Sequence, residues 1–111
     1  MGLLTVLFLI VGALLSVLAL PLIWRRVPPN PWYGFRVRRT LENRDVWYAA
    51  NAYAGRGLLW SGIATIAAAL LLRLLPGLST DAYALACTAV MGVALALSVG
   101  LSFRYLGRLA K

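Results

Sequence analysis

The sequence predicts an all-α integral membrane protein with three transmembrane helices and a short interfacial helix between the first and the second. Three observations carry that expectation. Of 111 residues, 62% are apolar and the mean hydropathy is +0.84, well above the roughly 45–50% apolar content of a soluble domain. The apolar residues gather into three blocks, 3–23, 58–75 and 82–103, each long enough to cross a bilayer core. The formal charge of +8, from eleven Lys and Arg against three Asp and Glu, collects between the first two blocks and at the C-terminal end. A water-soluble fold would have little polar surface left for solvent.

Residues 3–23 carry no charge and, at about 1.5 Å rise per residue, span roughly 31 Å. A cleaved signal peptide is the rival reading. The usual basic n-region is missing, however, and the run exceeds the roughly 7–15 residues of an h-region. Gly12 and Ser16 form a small-residue notch for a neighbouring helix. Pro21 is expected to bend or end this helix, with Trp24, Arg25 and Arg26 at the interface.

Residues 25–57 form a polar, aromatic and arginine-rich connector. Pro28, Pro29 and Pro31 exclude a helix there, and Gly34 suits a turn with φ > 0 or a close backbone approach. Asn43 reads as an N-cap with Asp45 in the first turn. From there Trp47, Asn51, Ala54 and Leu58 share a helical face, and the Gly55-Arg56-Gly57 run predicts a kink on entering the membrane.

The second span, 58–75, ends at Pro76-Gly77, with Arg73 close enough to its end to snorkel outward. The short turn that follows makes the second and third spans antiparallel neighbours. Asp81 reads as the N-cap of the third, 82–103. That helix carries a ladder of small residues, Ala84, Thr88, Gly92, Ala96 and Gly100. Such ladders let backbones approach closely, so it is expected to pack against the second span or another copy in a homo-oligomer.

The arginines of the connector, with Arg104, Arg108 and Lys111 in the tail, place both segments in the cytoplasm and the N-terminus outside, by the positive-inside rule. The same arginines are expected to meet anionic headgroups of the lipid bilayer rather than nucleic acid. The chain has one cysteine, Cys87, and no histidine, which leaves neither an internal disulfide nor a zinc site, and no metal or cofactor is expected.

The connector holds a definite series: Asn30 in its proline-rich turn, Tyr33-Gly34-Phe35-Arg36, Thr40-Leu41-Glu42-Asn43, then Trp47 and Asn51. In this order it resembles the signature of the SdpI family of small bacterial membrane proteins. The resemblance covers about thirty residues of connector. It implies residence in the bacterial cytoplasmic (inner) membrane and a protective or signalling role: immunity to a membrane-active peptide toxin, or recruitment of a cytoplasmic regulator. It also implies a specific role for Arg36, Trp47 and Asn51.

On residue chemistry, Arg36 and Asn51 are expected to bind an anionic group in a small polar pocket roofed by Trp32, Tyr33 and Trp47, with Asn30 and Thr40 fixing the loop. The bland alternative is an interfacial aromatic belt, with Asn51 capping a loop carbonyl and the arginines on lipid phosphates. The alternative function is therefore an interfacial anionic-ligand or lipid-headgroup binding module. Catalysis is not expected, since Glu42 and Asp45 stand at capping and dipole-complementing positions and no nucleophile elbow or phosphate loop appears. A small proton-coupled transporter needs an acidic residue inside a span, and none is present.

Overall fold

The computed structural model describes residues 2–109. Its elements run α1 (Gly2–Ile23), α2 (Arg38–Glu42), α3 (Arg44–Arg73) and α4 (Thr80–Leu109), with no strand among the described residues. Three of these helices, α1, α3 and α4, are long and apolar enough to cross a membrane. α3 is central, with α1 on one side and α4 on the other.

Small residues on α3 set both crossings. Toward α1, an added Cβ on Gly62 would meet Gly12 O at 2.6 Å and also strike Ser16 Oγ, and one on Gly12 would meet Gly62 O at 2.8 Å. The notch formed by Gly12 and Ser16 thus lies at this crossing. Lower down, Gly55 faces Ala19 O and the Leu22 and Ile23 side chains. Toward α4, Gly57 lies against Ser98, and Tyr53 stacks on Tyr105 with ring centroids 4.3 Å apart. Close backbone approach of this kind replaces the hydrophobic drive that lipid cannot supply.

The end remote from the connector is held by one buried tyrosine. Tyr83 donates its hydroxyl hydrogen to Ala69 O at 2.7 Å. That phenol has a single hydrogen, so Thr5 Oγ1, 2.8 Å away, must be the donor in their contact. One side chain thereby joins all three long helices. Phe8 meets the Tyr83 ring edge-on at 6.3 Å, and Cys87 is buried alongside as a packing residue.

The short helix expected between the first two spans is α2, and the helix expected to begin after Asn43 runs without interruption into the second span as α3, Arg44 to Arg73. On it Gly55 makes close contact with α1 and Gly57 with α4. Other expectations are sharpened at the helix ends. Pro21 sits inside α1, and the helix ends just beyond it: Arg26 N–H bonds Pro21 O at 3.0 Å and Arg25 N–H bonds Leu22 O at 3.2 Å. This is a Schellman pattern with Arg25 at φ 58°, where glycine is usual. At the start of α4 the cap is Ser79, whose Oγ accepts from Ala82 N–H at 3.1 Å, and Asp81 falls in the first turn instead.

The small-residue ladder of α4 does not pack on α3. Thr88, Gly92, Ala96 and Gly100 are exposed, and nothing lies within 4 Å of a Cβ added to Gly92 or Gly100. The buried row is Tyr83, Cys87, Ser102 and Leu106. Tyr83 and Cys87 lie one residue before Ala84 and Thr88, about 100° round the helix. The larger side chains with contacts to make claim the interface.

Outward-facing Leu7, Ile10, Leu14 and Val17 of α1 and Leu85, Val93 and Leu97 of α4 are exposed. Such continuous apolar faces belong in lipid, and the protein is a multi-pass membrane protein. Gly62→Val is expected to destabilise the α1–α3 crossing by about 1–3 kcal/mol through overpacking, read as a lowered Tm in detergent. Gly92→Ala is expected to leave the Tm of the same preparation unchanged or raised.

Candidate functional site

Three prolines and a glycine prevent the connector from forming a regular ladder, so its backbone groups must find side-chain partners. Asn30 supplies the first: its Oδ1 accepts from Trp32 N–H at 2.9 Å and Tyr33 N–H at 2.7 Å, while Nδ2 donates to Pro28 O at 2.8 Å. An Asx turn of this kind closes the proline-rich segment. Gly34 follows at φ 113°, and a Cβ there would meet Asn51 Oδ1 at 2.6 Å. Glycine is required on both counts.

Asn51 reaches that glycine from α3, where it is 2% exposed. Its Oδ1 accepts from Phe35 N–H, and its Nδ2 lies 3.3 Å from Phe35 O and 3.0 Å from Trp47 O. The amide therefore pairs with both backbone groups of Phe35, as a strand neighbour would. Thr40, fully buried, adds its hydroxyl, 2.9 Å from Phe35 O and 2.8 Å from Val37 O. It also accepts from Val37 N–H at 3.0 Å, which caps α2. Asn43 then caps α3 by accepting from Asp45 N–H and Val46 N–H at 3.0 and 3.2 Å.

Trp47 is fully buried and donates Nε1–H to Val27 O at 2.7 Å, fastening the start of the connector to α3. Tyr33 reaches the other way and donates its hydroxyl to Leu18 O in α1. Partial burial pushes the Tyr33 phenol above its ordinary 10.0. Phe35 meets Phe103 of α4 edge-on, with centroids 5.0 Å apart and planes at 72°. The connector is thus tied to all three long helices.

The residues expected to form one anion pocket divide into two groups. Asn30, Tyr33, Gly34, Thr40, Trp47 and Asn51 turn inward and hold the loop. Arg36 is exposed and gives Nη1–H to Pro31 O, sharing no partner with Asn51. The expected aromatic roof is also revised: Trp47 is buried beneath the loop, while Trp32 stands 83% exposed. The physical reason is demand. Irregular backbone at a membrane edge needs every amide available, and a buried polar group left unpaired costs about 1–3 kcal/mol. The Arg38–Glu42 pair, 2.8 Å apart but exposed, contributes only about 0.3–0.5 kcal/mol.

Sequence reasoning missed Val27, Pro31 and the backbone of Phe35 as the acceptors and donors that the signature side chains serve. It also missed Phe103 of α4, which meets Phe35 only through folding, and Ser98 and Ser102, which line the same groove as these rings. The aromatic spacing gave no signal for Phe103. Among the described residues no group of three His, Cys, Asp or Glu gathers as a metal site.

A family model described as the SdpI/YfhL protein family matches residues 26–103, a stretch running from the connector through α2 and α3 into the last turns of α4. No curated protein and no solved structure matches the chain.

Two outcomes are expected from this geometry. Asn51→Ala and Asn51→Asp should both open the connector, since the carboxylate cannot donate to Phe35 O or Trp47 O; limited trypsin digestion should then cut at Arg36, Arg38 and Arg39 sooner than in the parent. Because the Tyr33 phenol is raised in the folded state, its contribution is complete below 10.0 and is lost as pH rises through the raised value. Tryptic protection should fall in that alkaline window, and Tyr33→Phe should remove the dependence on pH.

Proposed function

The chain belongs to the SdpI/YfhL protein family, and on that premise we propose that it is a non-enzymatic immunity or signalling protein of the bacterial cytoplasmic membrane. It recognises a membrane-active peptide toxin or engages a cytoplasmic regulator. The N-terminus lies outside, and the connector and tail face the cytoplasm. What supports this orientation is the charge distribution: Arg25, Arg26, Arg36, Arg38, Arg39, Arg44 and Arg56 all lie at the connector end, as the positive-inside rule requires of cytoplasmic segments.

The observation that carries the recognition reading is the direction of the connector's side chains. Its amides and hydroxyls close on neighbouring backbone of the connector and of α1, while Trp32, Arg36, Arg39 and Leu41 are exposed. A loop held in one shape loses little freedom when a partner binds, and Trp and Arg are the residue types that most often anchor such contacts. Contact recognition also suits the acids present. Glu42 is paired with Arg38 and Asp45 lies in the first turn of α3, so neither forms a catalytic pair.

Cells lacking the gene are expected to become sensitive to the peptide toxin, and the wild-type chain to restore protection. Trp32→Ala with Arg39→Ala should abolish protection while membrane insertion and Tm stay at wild-type values. Full protection by that double variant would overturn the reading. For orientation, Arg39→Cys in a Cys87→Ala background should react with a membrane-impermeant maleimide only after the cells are opened.

A further inference from the structure

Beneath the connector lies a groove of about 400 Å³ between the ends of α1, α3 and α4, within the range of roughly 300–1,000 Å³ typical of ligand sites. Its wall is mostly apolar: Leu22 from α1, Ala54 and Leu58 from α3, Leu95, Val99 and Phe103 from α4. Two of the three hydroxyls that line it are already engaged. Tyr33 donates to Leu18 O, and Ser102 donates to Ser98 O at 2.7 Å. Among the described residues no buried side-chain polar atom lacks a hydrogen-bond partner. The groove therefore accepts a hydrocarbon with most of its polar lining already satisfied.

Two features identify the occupant. Val99 and Phe103 are 55% and 51% exposed on the lipid-facing side of α4, so the groove opens sideways into the bilayer rather than only toward water. Arg36 also lines it while remaining exposed, which puts a guanidinium at the mouth. The bond from Nη1 to Pro31 O holds that group in place. Exposed Trp24 and Trp32 set this end of the bundle at headgroup depth, where a phosphate lies.

We propose that the groove seats one acyl chain of an anionic phospholipid drawn from the surrounding bilayer, with Arg36 against its phosphate. The lipid bridges the connector and α4 through Phe35 and Phe103, and makes the shape of the loop sensitive to membrane composition. One basic group near a membrane surface favours an anionic lipid by about fivefold. A soluble phosphate has no part for the apolar wall, and a neutral lipid leaves the guanidinium with no net negative partner.

The test uses the full chain in phosphatidylcholine bilayers with a trace of phosphatidylglycerol carrying a photoreactive group at its chain end. Wild-type adducts are expected to concentrate in residues 95–103 and around residue 54, and unlabelled phosphatidylglycerol should displace them about fivefold better than phosphatidylcholine. Arg36→Gln, which keeps a donor for Pro31 O, should bring the two competitors level. Ala54→Phe should remove the adducts at residues 95–103 and leave those on the outer face of α1 as an internal control for insertion. Wild-type adducts spread evenly over the outer faces of α1 and α4, or equal competition by the two lipids, would overturn the proposal. Both of those results come from unaltered protein, so neither depends on a variant folding.

Discussion

The architecture depends on a requirement of the connector's backbone: a chain that cannot be helical must still satisfy its amides beside a membrane. Asn51 meets that requirement where it is most acute. By bonding both backbone groups of Phe35, it substitutes for a missing strand neighbour at a point where Gly34 allows the amide to come close. Thr40 and Trp47 extend the same solution to either side. Removing one partner in such a set leaves the other buried and unmet, so the set acts as a unit.

This arrangement explains why α3 is the most polar of the membrane helices. Its first turns hold the connector, and its later turns present Gly62 to α1. Gly57, between the two, lies against α4. At about 45 Å for its thirty residues, α3 exceeds a bilayer core of about 30 Å. The excess is the portion from Arg44 to about Gly55, where Trp47 and Asn51 reside. Connector binding and helix packing are consequently properties of one continuous helix.

Much of the candidate site was legible in residue types. Asn30 in a proline-rich turn, Asn43 before a helix and the positive φ of glycine at position 34 were legible because they involve only neighbours in sequence. The inward direction of Asn51 was not legible. An asparagine on a helical face is equally suited to a ligand or to a loop, and only the arrival of Phe35, 16 residues earlier in the chain, decides between them. The same holds for Trp47, whose partner Val27 is 20 residues away. The exposed ladder on α4 shows the converse: small residues at a regular spacing permit close packing, but nothing in the spacing selects which face is used.

The sequence by itself determined the all-helical membrane class, the three apolar spans and the concentration of arginines at one end, since hydropathy, length and charge are additive properties of the chain. Tertiary structure decided that Gly62 of α3 meets α1 while Gly57 meets α4. It decided that the signature side chains hold the loop while Trp32 and Arg36 face outward, and that α4 buries the Tyr83 row instead of the glycine row. These outcomes turn on which distant groups meet. A polar group's partner in a low-dielectric setting is chosen by three-dimensional approach rather than by residue type.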